Sequence, residues 1–373
     1  MKKSETHKIK VMTIFGTRPE IIRLSLIMKL LDQYCEHITV HTGQNYHESL
    51  SDIILRDLEV RQPDYHLGVK ADCFSKQISQ ILERVDEVIE QVKPDKILIL
   101  GDTNSALTAI IAARRGIPVF HMEAGNRCYD DRVPEEINRR IIDHASTILM
   151  PYTERSKENL IREGIERDRI FVIGNPIYEV LSHFSEKIDS SDVLERLQIR
   201  PYEYFLVTLH RAENVDKPDR LASILQGLIL VSRTYGKRIF VSTHPRTADK
   251  IKKYELDTKS LYLIEPPGFL DFVKLEKNAL AVLTDSGTVQ EECCIFRVPS
   301  VTIRDVTERP ETIEVGSNIL SGAAPDAILK SVEIVLSQTS EWGPPREYLS
   351  ENVSQIVSKI VLGYTSVKKH ISV

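Results

Sequence analysis

The chain has 373 residues, a formal net charge of −5, and 28% charged and 42% hydrophobic residues. That is enough chain for two domains with their own cores, and the balance is that of an ordinary globular protein rather than a disordered or fibrous one. The acidic excess argues against a broad nucleic-acid partner but leaves room for a local basic cluster holding one phosphate or diphosphate.

Taken in chain order, the apolar run Val11 to Phe15 is too short for an export signal and ends in Gly16-Thr17-Arg18-Pro19-Glu20. It reads as a first strand, in a protein expected to remain cytoplasmic. No later run approaches the ~20 apolar residues that cross a bilayer. Strands are predicted near 10–15, 37–42, 96–100, 118–122, 147–150 and 169–173, then near 203–209, 238–243, 261–265, 279–284, 299–303 and 317–320, with helical periodicity between them. Six and six predict an α/β fold of two doubly wound, Rossmann-like parallel sheets. The stretch 175–202, opening with Asn175-Pro176, is read as the connector between a first domain over 1–175 and a second over 176–349. An apolar helical stripe from Tyr348 to Tyr364 closes the chain. The five cysteines include no CxxC pair, which points to reduced thiols and away from a disulfide framework or a zinc site.

Polar and ionisable residues follow nearly every strand, and in open α/β sheets ligands bind outside the carboxyl ends of the strands. The site is therefore expected in a cleft between the two halves. Thr17 and Glu20 form a capping-box pattern, but Arg18 on the first helical turn adds positive charge to the positive end of a helix dipole, which calls for a bound anion. Asp285-Ser286-Gly287-Thr288 opens a second helix with small residues that let backbone N–H groups reach a phosphate. Glu292, further along it, could accept from ribose hydroxyls or simply stand as an exposed helix carboxylate. The motif is neither GxGxxG nor a P-loop, so no dinucleotide fold or ATPase is indicated. Acid and base candidates are Asp102, Glu123, Glu135, Glu136 and His210. Asp102 and Glu123 end consecutive apolar strands, where burial would raise a carboxyl pKa. His210, Arg211, His244 and Arg309 join Arg18 as the cations at strand or loop ends. No His and carboxylate spacing matches a metal site, and no GxSxG or Cys/His nucleophile is present.

In family order, GTRPE at 16–20, GDT at 101–103, HMEAG at 121–125, PEEINR at 134–139, HRAEN at 210–214, TDSGTVQEE at 284–292 and TERPE at 307–311 resemble the non-hydrolysing UDP-N-acetylglucosamine 2-epimerase family. The resemblance implies a glycosyltransferase-B-like arrangement with the C-terminal helix, 350–373, returning to the first domain. It implies inversion at C2 of a UDP-linked 2-acetamido sugar, by elimination and re-addition of UDP, without metal or added cofactor, in a homodimer. It carries catalytic roles to Asp102, Glu123, Glu135 and His210. It carries UDP binding to Arg18, Arg211, His244, Phe272, Ser286, Gly287, Thr288, Glu292 and Arg309, with Glu292 at the ribose and Phe272 near the uracil. Arg61-Gln62-Pro63-Asp64, the run His121 to Cys128, Val133 to Arg139 and Ser242-Thr243-His244-Pro245-Arg246 are similar to the capsule and O-antigen branch. That branch converts UDP-2-acetamido-2,6-dideoxy-L-talose to UDP-N-acetyl-L-fucosamine. The alternatives are a UDP-GlcNAc 2-epimerase forming UDP-ManNAc, or a retaining glycosyltransferase. Gly43-Gln44-Asn45-Tyr46-His47-Glu48 departs from the family segment that holds an activating UDP-GlcNAc.

Overall fold

A computed structural model describes residues 8–43, 48–71, 73–338 and 341–364. Residues 44–47, in the departing segment, lie outside it. The first sheet contains β1 (Lys10–Phe15), β2 (Glu36–His41), β3 (Tyr65–His66), β4 (Lys96–Leu100), β5 (Val119–Met122) and β6 (Ile148–Met150), in the order β3-β2-β1-β4-β5-β6. The second contains β7 (Tyr204–Leu209), β8 (Arg238–Thr243), β9 (Tyr262–Ile264), β10 (Ala281–Thr284), β11 (Ser300–Thr302) and β12 (Asn318–Leu320), in the order β12-β11-β10-β7-β8-β9. Every pairing is parallel, with Thr13 facing Thr39 and Leu98, and Thr208 facing Thr284. The two windings are the same. Each sheet reverses its strand order beside its first strand, between β1 and β4 and between β7 and β10, and such a reversal opens a crevice at the carboxyl ends.

Two strands were read differently from the sequence. Residues 169–173 make only the bridge Leu149↔Ile170, although Phe171 N–H donates to Leu149 O at 2.9 Å and Ile173 N–H to Pro151 O at 3.0 Å. The next ladder bond would need an N–H from residue 151, and proline has none. The sixth strand of the sheet is instead β3, two residues at an edge, too short and polar to show a period of two.

Period-two burial on both faces explains the layers. In β7, Phe205, Val207 and Leu209 pack under Leu221, Ile224, Leu225 and Leu228 of the helix Pro218–Tyr235, while Tyr204 and Leu206 pack with Leu275, Val289 and Cys293 on the other face. In the first sheet, Met12, Ile14, Ile97 and Ile99 meet Ile81, Val85 and Ile89 of the helix Phe74–Val92.

The described residues through Val180, with those from Ser350 onward, form one compact unit, and Leu181–Leu349 form the other. The chain passes between them inside the helix Ile177–His183, later than Asn175-Pro176, because buried Asn175 starts that helix by accepting from Ile177 N–H at 3.0 Å. The helix Val353–Gly363 is held in the first unit at both ends. Ser354 N–H donates to Glu179 at 2.8 Å, and Lys96 Nζ donates to the carbonyls of Val361 (2.6 Å), Leu362 (3.3 Å) and Tyr364 (2.9 Å). A lysine there satisfies the orphan carbonyls of the helix C-terminus. Among the described residues no helix is long and apolar enough to cross a membrane.

Candidate active site

In the first unit the polar residues gather where β1, β4 and β5 end. Asp102, after β4, lies 2.7 Å from Arg139 Nη2, and Glu123, after β5, accepts from Arg23 Nη1 at 3.1 Å. Arg23 and Arg139 are both 2% exposed. Each of the two carboxyl groups that follow these apolar strands is thus met by a buried guanidinium group. Glu123 has φ of +65°, sparsely populated for a side chain with a Cβ, and its N–H is fixed by Met150 O at 3.1 Å. Asn138 Nδ2 donates to Asp102 O at 3.1 Å, so the helix Pro134–Ala145 that carries half-buried Glu135 is tied to the same turn. Arg18 is the first residue of the helix Arg18–Tyr34 and is half-buried.

Glu136 is not available for proton transfer. Its oxygens accept from the N–H groups of Cys128 and Tyr129, each at 3.0 Å, from Arg139 at 3.0 Å and from Arg140 at 3.2 Å. Burial opposes ionisation, but Arg139 and those amides hold its carboxyl below the usual range. These bonds tie it to the loop at Cys128 and Tyr129. Behind Glu123, Asp143 accepts from Gly125 N–H at 3.2 Å and pairs with Arg127 at 2.7 Å, and its Oδ1 lies 2.9 Å from His121 Nδ1. Against the effect of complete burial, His121 and Arg127 lower its pKa.

Glu20 joins two of the turns. Its Oε2 accepts from Gly16 N–H (3.1 Å) and Thr17 Oγ1 (2.7 Å), and its Oε1 from Thr103 Oγ1 (3.1 Å). The predicted capping box is thus half formed, since the Thr17 side chain turns to the carboxyl instead of capping the helix. Burial outweighs these donors and raises the Glu20 pKa from 4.5 to about 7. The unfolded chain ionises this group above about 4.5 while the folded chain keeps its proton to about 7. Its contribution to stability is full below pH 4.5 and falls by about 3 kcal/mol as pH rises to 7. Glu20→Gln is expected to remove that slope, so Tm should drop less between about pH 5 and about pH 7.5 in the variant than in the parent. Equal drops would rule Glu20 out as the titrating group.

In the second unit β7 and β10 deliver the corresponding turns. Fully buried Asp285 accepts from the N–H groups of His210 (3.1 Å) and Arg211 (3.0 Å) and from Asn214 Nδ2 (3.2 Å), and its Oδ1 lies 3.1 Å from His210 Nδ1. Burial works against its charge, yet His210 and these donors hold the carboxyl below its ordinary value. The contact assigns the proton of a neutral His210 to Nδ1 and leaves Nε2 with the lone pair. Ser286 precedes the helix Gly287–Phe296, its Oγ 3.0 Å from Thr288 Oγ1. A Cβ on Gly287 would stand 2.7 Å from Glu308 Oε1, so any larger residue there would have to displace that carboxylate. Glu308 in turn accepts from Arg211 at 3.2 Å and from Arg304 at 2.8 Å.

The remaining expected residues have contacts of their own. Arg309 is 4% exposed, with its Nε against Glu291. His244 caps the helix Pro245–Lys253 by accepting from Arg246 N–H at 3.2 Å. Phe272 packs, partly buried, against the core around Tyr204 and Leu275. Glu292 is buried inside its helix. Within the first unit the structure thus brings together Asp102, Glu123 and the Glu135 helix, and within the second His210, Arg211, Ser286, Gly287 and Thr288. The positioning residues Arg23, Arg139 and Asp285 carried no assigned role from sequence, although Arg139 and Asp285 stand inside quoted motifs.

Residues 29–362 match the family described as UDP-N-acetylglucosamine 2-epimerase. The UDP-N-acetylglucosamine 2-epimerase of Methanocaldococcus jannaschii is 42% identical over 347 residues, covering 90% of this chain and 95% of that protein. The UDP-2,3-diacetamido-2,3-dideoxy-D-glucuronate 2-epimerase of Pseudomonas aeruginosa is 36% identical, covering 89% of this chain and 93% of its own. The crystal structure of the M. jannaschii UDP-GlcNAc 2-epimerase in complex with UDP-GlcNAc and UDP matches with a TM-score of 0.91 at 40% identity, over 96% of this chain and all of that one. With similarity of this extent joined to the two strand-end clusters, the chain belongs to the UDP-N-acetylglucosamine 2-epimerase family and is an isomerase.

Proposed function

We propose that the protein inverts C2 of a UDP-linked 2-acetamido sugar, UDP-N-acetylglucosamine being the best-supported substrate, by eliminating UDP across C1–C2 and adding it back. The observation that carries this reading is the pair of arginine-held carboxylates, Asp102 and Glu123, at the ends of neighbouring strands. A carboxylate held in place by an arginine is positioned to take a proton from C2, and Glu135 completes the acid/base set. In the second unit Arg211, Ser286, Gly287 and Thr288 take the diphosphate, with His210 beside it, and Glu292 takes the ribose; in the first, Arg18 at the start of its helix is an anion-binding residue. His244, Phe272 and Arg309 belong to the same nucleotide site, Phe272 at the uracil.

The residues that suggested the 6-deoxy-L-talose substrate have scaffold contacts. Asn126 accepts from Ser156 Oγ at 2.9 Å, Arg127 is buried between Asp143 and Glu163, and Cys128 N–H donates to Glu136. Arg61 bonds Asp32 and Asp64, and Arg246 pairs with Asp216. They describe how loops are held, so they discriminate poorly between sugars. The M. jannaschii relative, an enzyme named for UDP-GlcNAc, supports that substrate ahead of the L-talose one. Proton NMR in deuterated water decides: incubation with UDP-GlcNAc is expected to exchange the C2 proton and yield the manno epimer. Exchange with only the 6-deoxy-L-talose nucleotide would reverse the order of the two readings. Absence of exchange with both would overturn the reaction proposed.

A further inference from the structure

Glu276 belongs to none of the motifs discussed above. It lies on the helix Phe269–Lys277 with no exposed surface, against Glu292 and Cys293 of the helix Gly287–Phe296. Its Oε1 accepts from Cys293 Sγ at 3.2 Å, while Oε2 is buried and has no donor among the described residues. Cys293, which donates to Glu276, follows Glu292 directly on its helix, so the two buried carboxyl groups are neighbours, and with no cation acting on Glu276 they resist ionising together. The fully buried member keeps its proton: burial, and then Glu292, raise the Glu276 pKa well above the usual carboxyl value.

We infer that Glu276 is a positioning residue for the nucleotide, its neutral carboxylic acid donating a hydrogen bond to Glu292 and so fixing the carboxylate that receives the ribose hydroxyls. The inference rests on the proposed role of Glu292 and extends it to a residue that does not touch the ligand. Glutamine preserves the arrangement, since its amide oxygen can still accept from Cys293 and its NH2 can donate to Glu292. Methionine fills the space but donates nothing.

Calorimetric titration of UDP and of 2′,3′-dideoxy-UDP into the parent, E276Q, E276M and E292Q proteins tests it. The parent is expected to prefer UDP. E292Q should lose that preference, E276M should lose about tenfold of it, and E276Q should stay within about threefold of the parent. Loss in E292Q but parent-like preference in E276M, or loss in E276Q, overturns the role of Glu276 and leaves that of Glu292 standing. Undiminished preference in E292Q overturns the role of Glu292, and the inference with it. If E276M does not fold, the infrared difference between parent and E276Q at about pH 8 serves instead. The C=O band of a protonated carboxyl should be present in the parent and missing in E276Q, and its absence from the parent overturns the inference.

Discussion

Asp102→Asn is expected to lower turnover about a thousand-fold while changing UDP affinity less than about threefold. The amide cannot accept a proton at useful pH, so any step in which residue 102 takes one is lost. The surroundings should survive, because Arg139 keeps its bond to Glu136 at 3.0 Å and Asn138 bonds the backbone, not the side chain, of residue 102. Asp102 is therefore a cleaner target than Glu123, whose replacement leaves buried Arg23 facing an uncharged amide. Deuterium incorporation at C2 under single-turnover conditions provides the reading. Turnover within tenfold of the parent would remove Asp102 from proton transfer.

The second large effect is on stability. Gly125→Ala is expected to cost at least about 3 kcal/mol, and so to lower the Tm of the first unit by about 6–12 °C. Gly125 has φ of +80°, and a Cβ there would stand 2.2 Å from Ser156 O and 2.8 Å from Leu160 Cγ. Neither neighbour can yield easily. Leu160 is fully buried, and the Gly125 backbone is pinned on both sides, its N–H by Asp143 and its carbonyl by Asn159 Nδ2 at 3.0 Å. The glycine follows Glu123 by two residues, so activity in the folded fraction should fall as well. A thermal scan with the parent's Tm would contradict the close approach.

Much of this was legible in the sequence, and the misses have identifiable causes. The strand at 96–100 carries the continuous apolar run Ile97 to Leu100 and is found where the pattern puts it; the one at 169–173 has the right composition but faces Pro151, whose missing N–H lies in another segment. The turns at Gly16, Gly101, His210 and Asp285 were likewise visible as polar residues directly after strands. What could not be read was the partner of each charge. Glu135 and Glu136 are neighbours on one helix turn, yet only Glu136 is consumed by the N–H groups of Cys128 and Tyr129.

The sequence by itself determined two doubly wound halves and the placing of ionisable residues at their strand ends, because periodicity and turn chemistry are properties of a few consecutive residues. Only the tertiary structure decided what those residues are electrically. Arg23 reaches Glu123 from 100 positions away and Glu20 meets Thr103 from 83. Burial leaves Glu20 titrating near 7, while neighbours push Asp285 the other way. The charge of a carboxyl follows from its desolvation and its nearest donors, and both are set by contacts between segments that folding alone brings together.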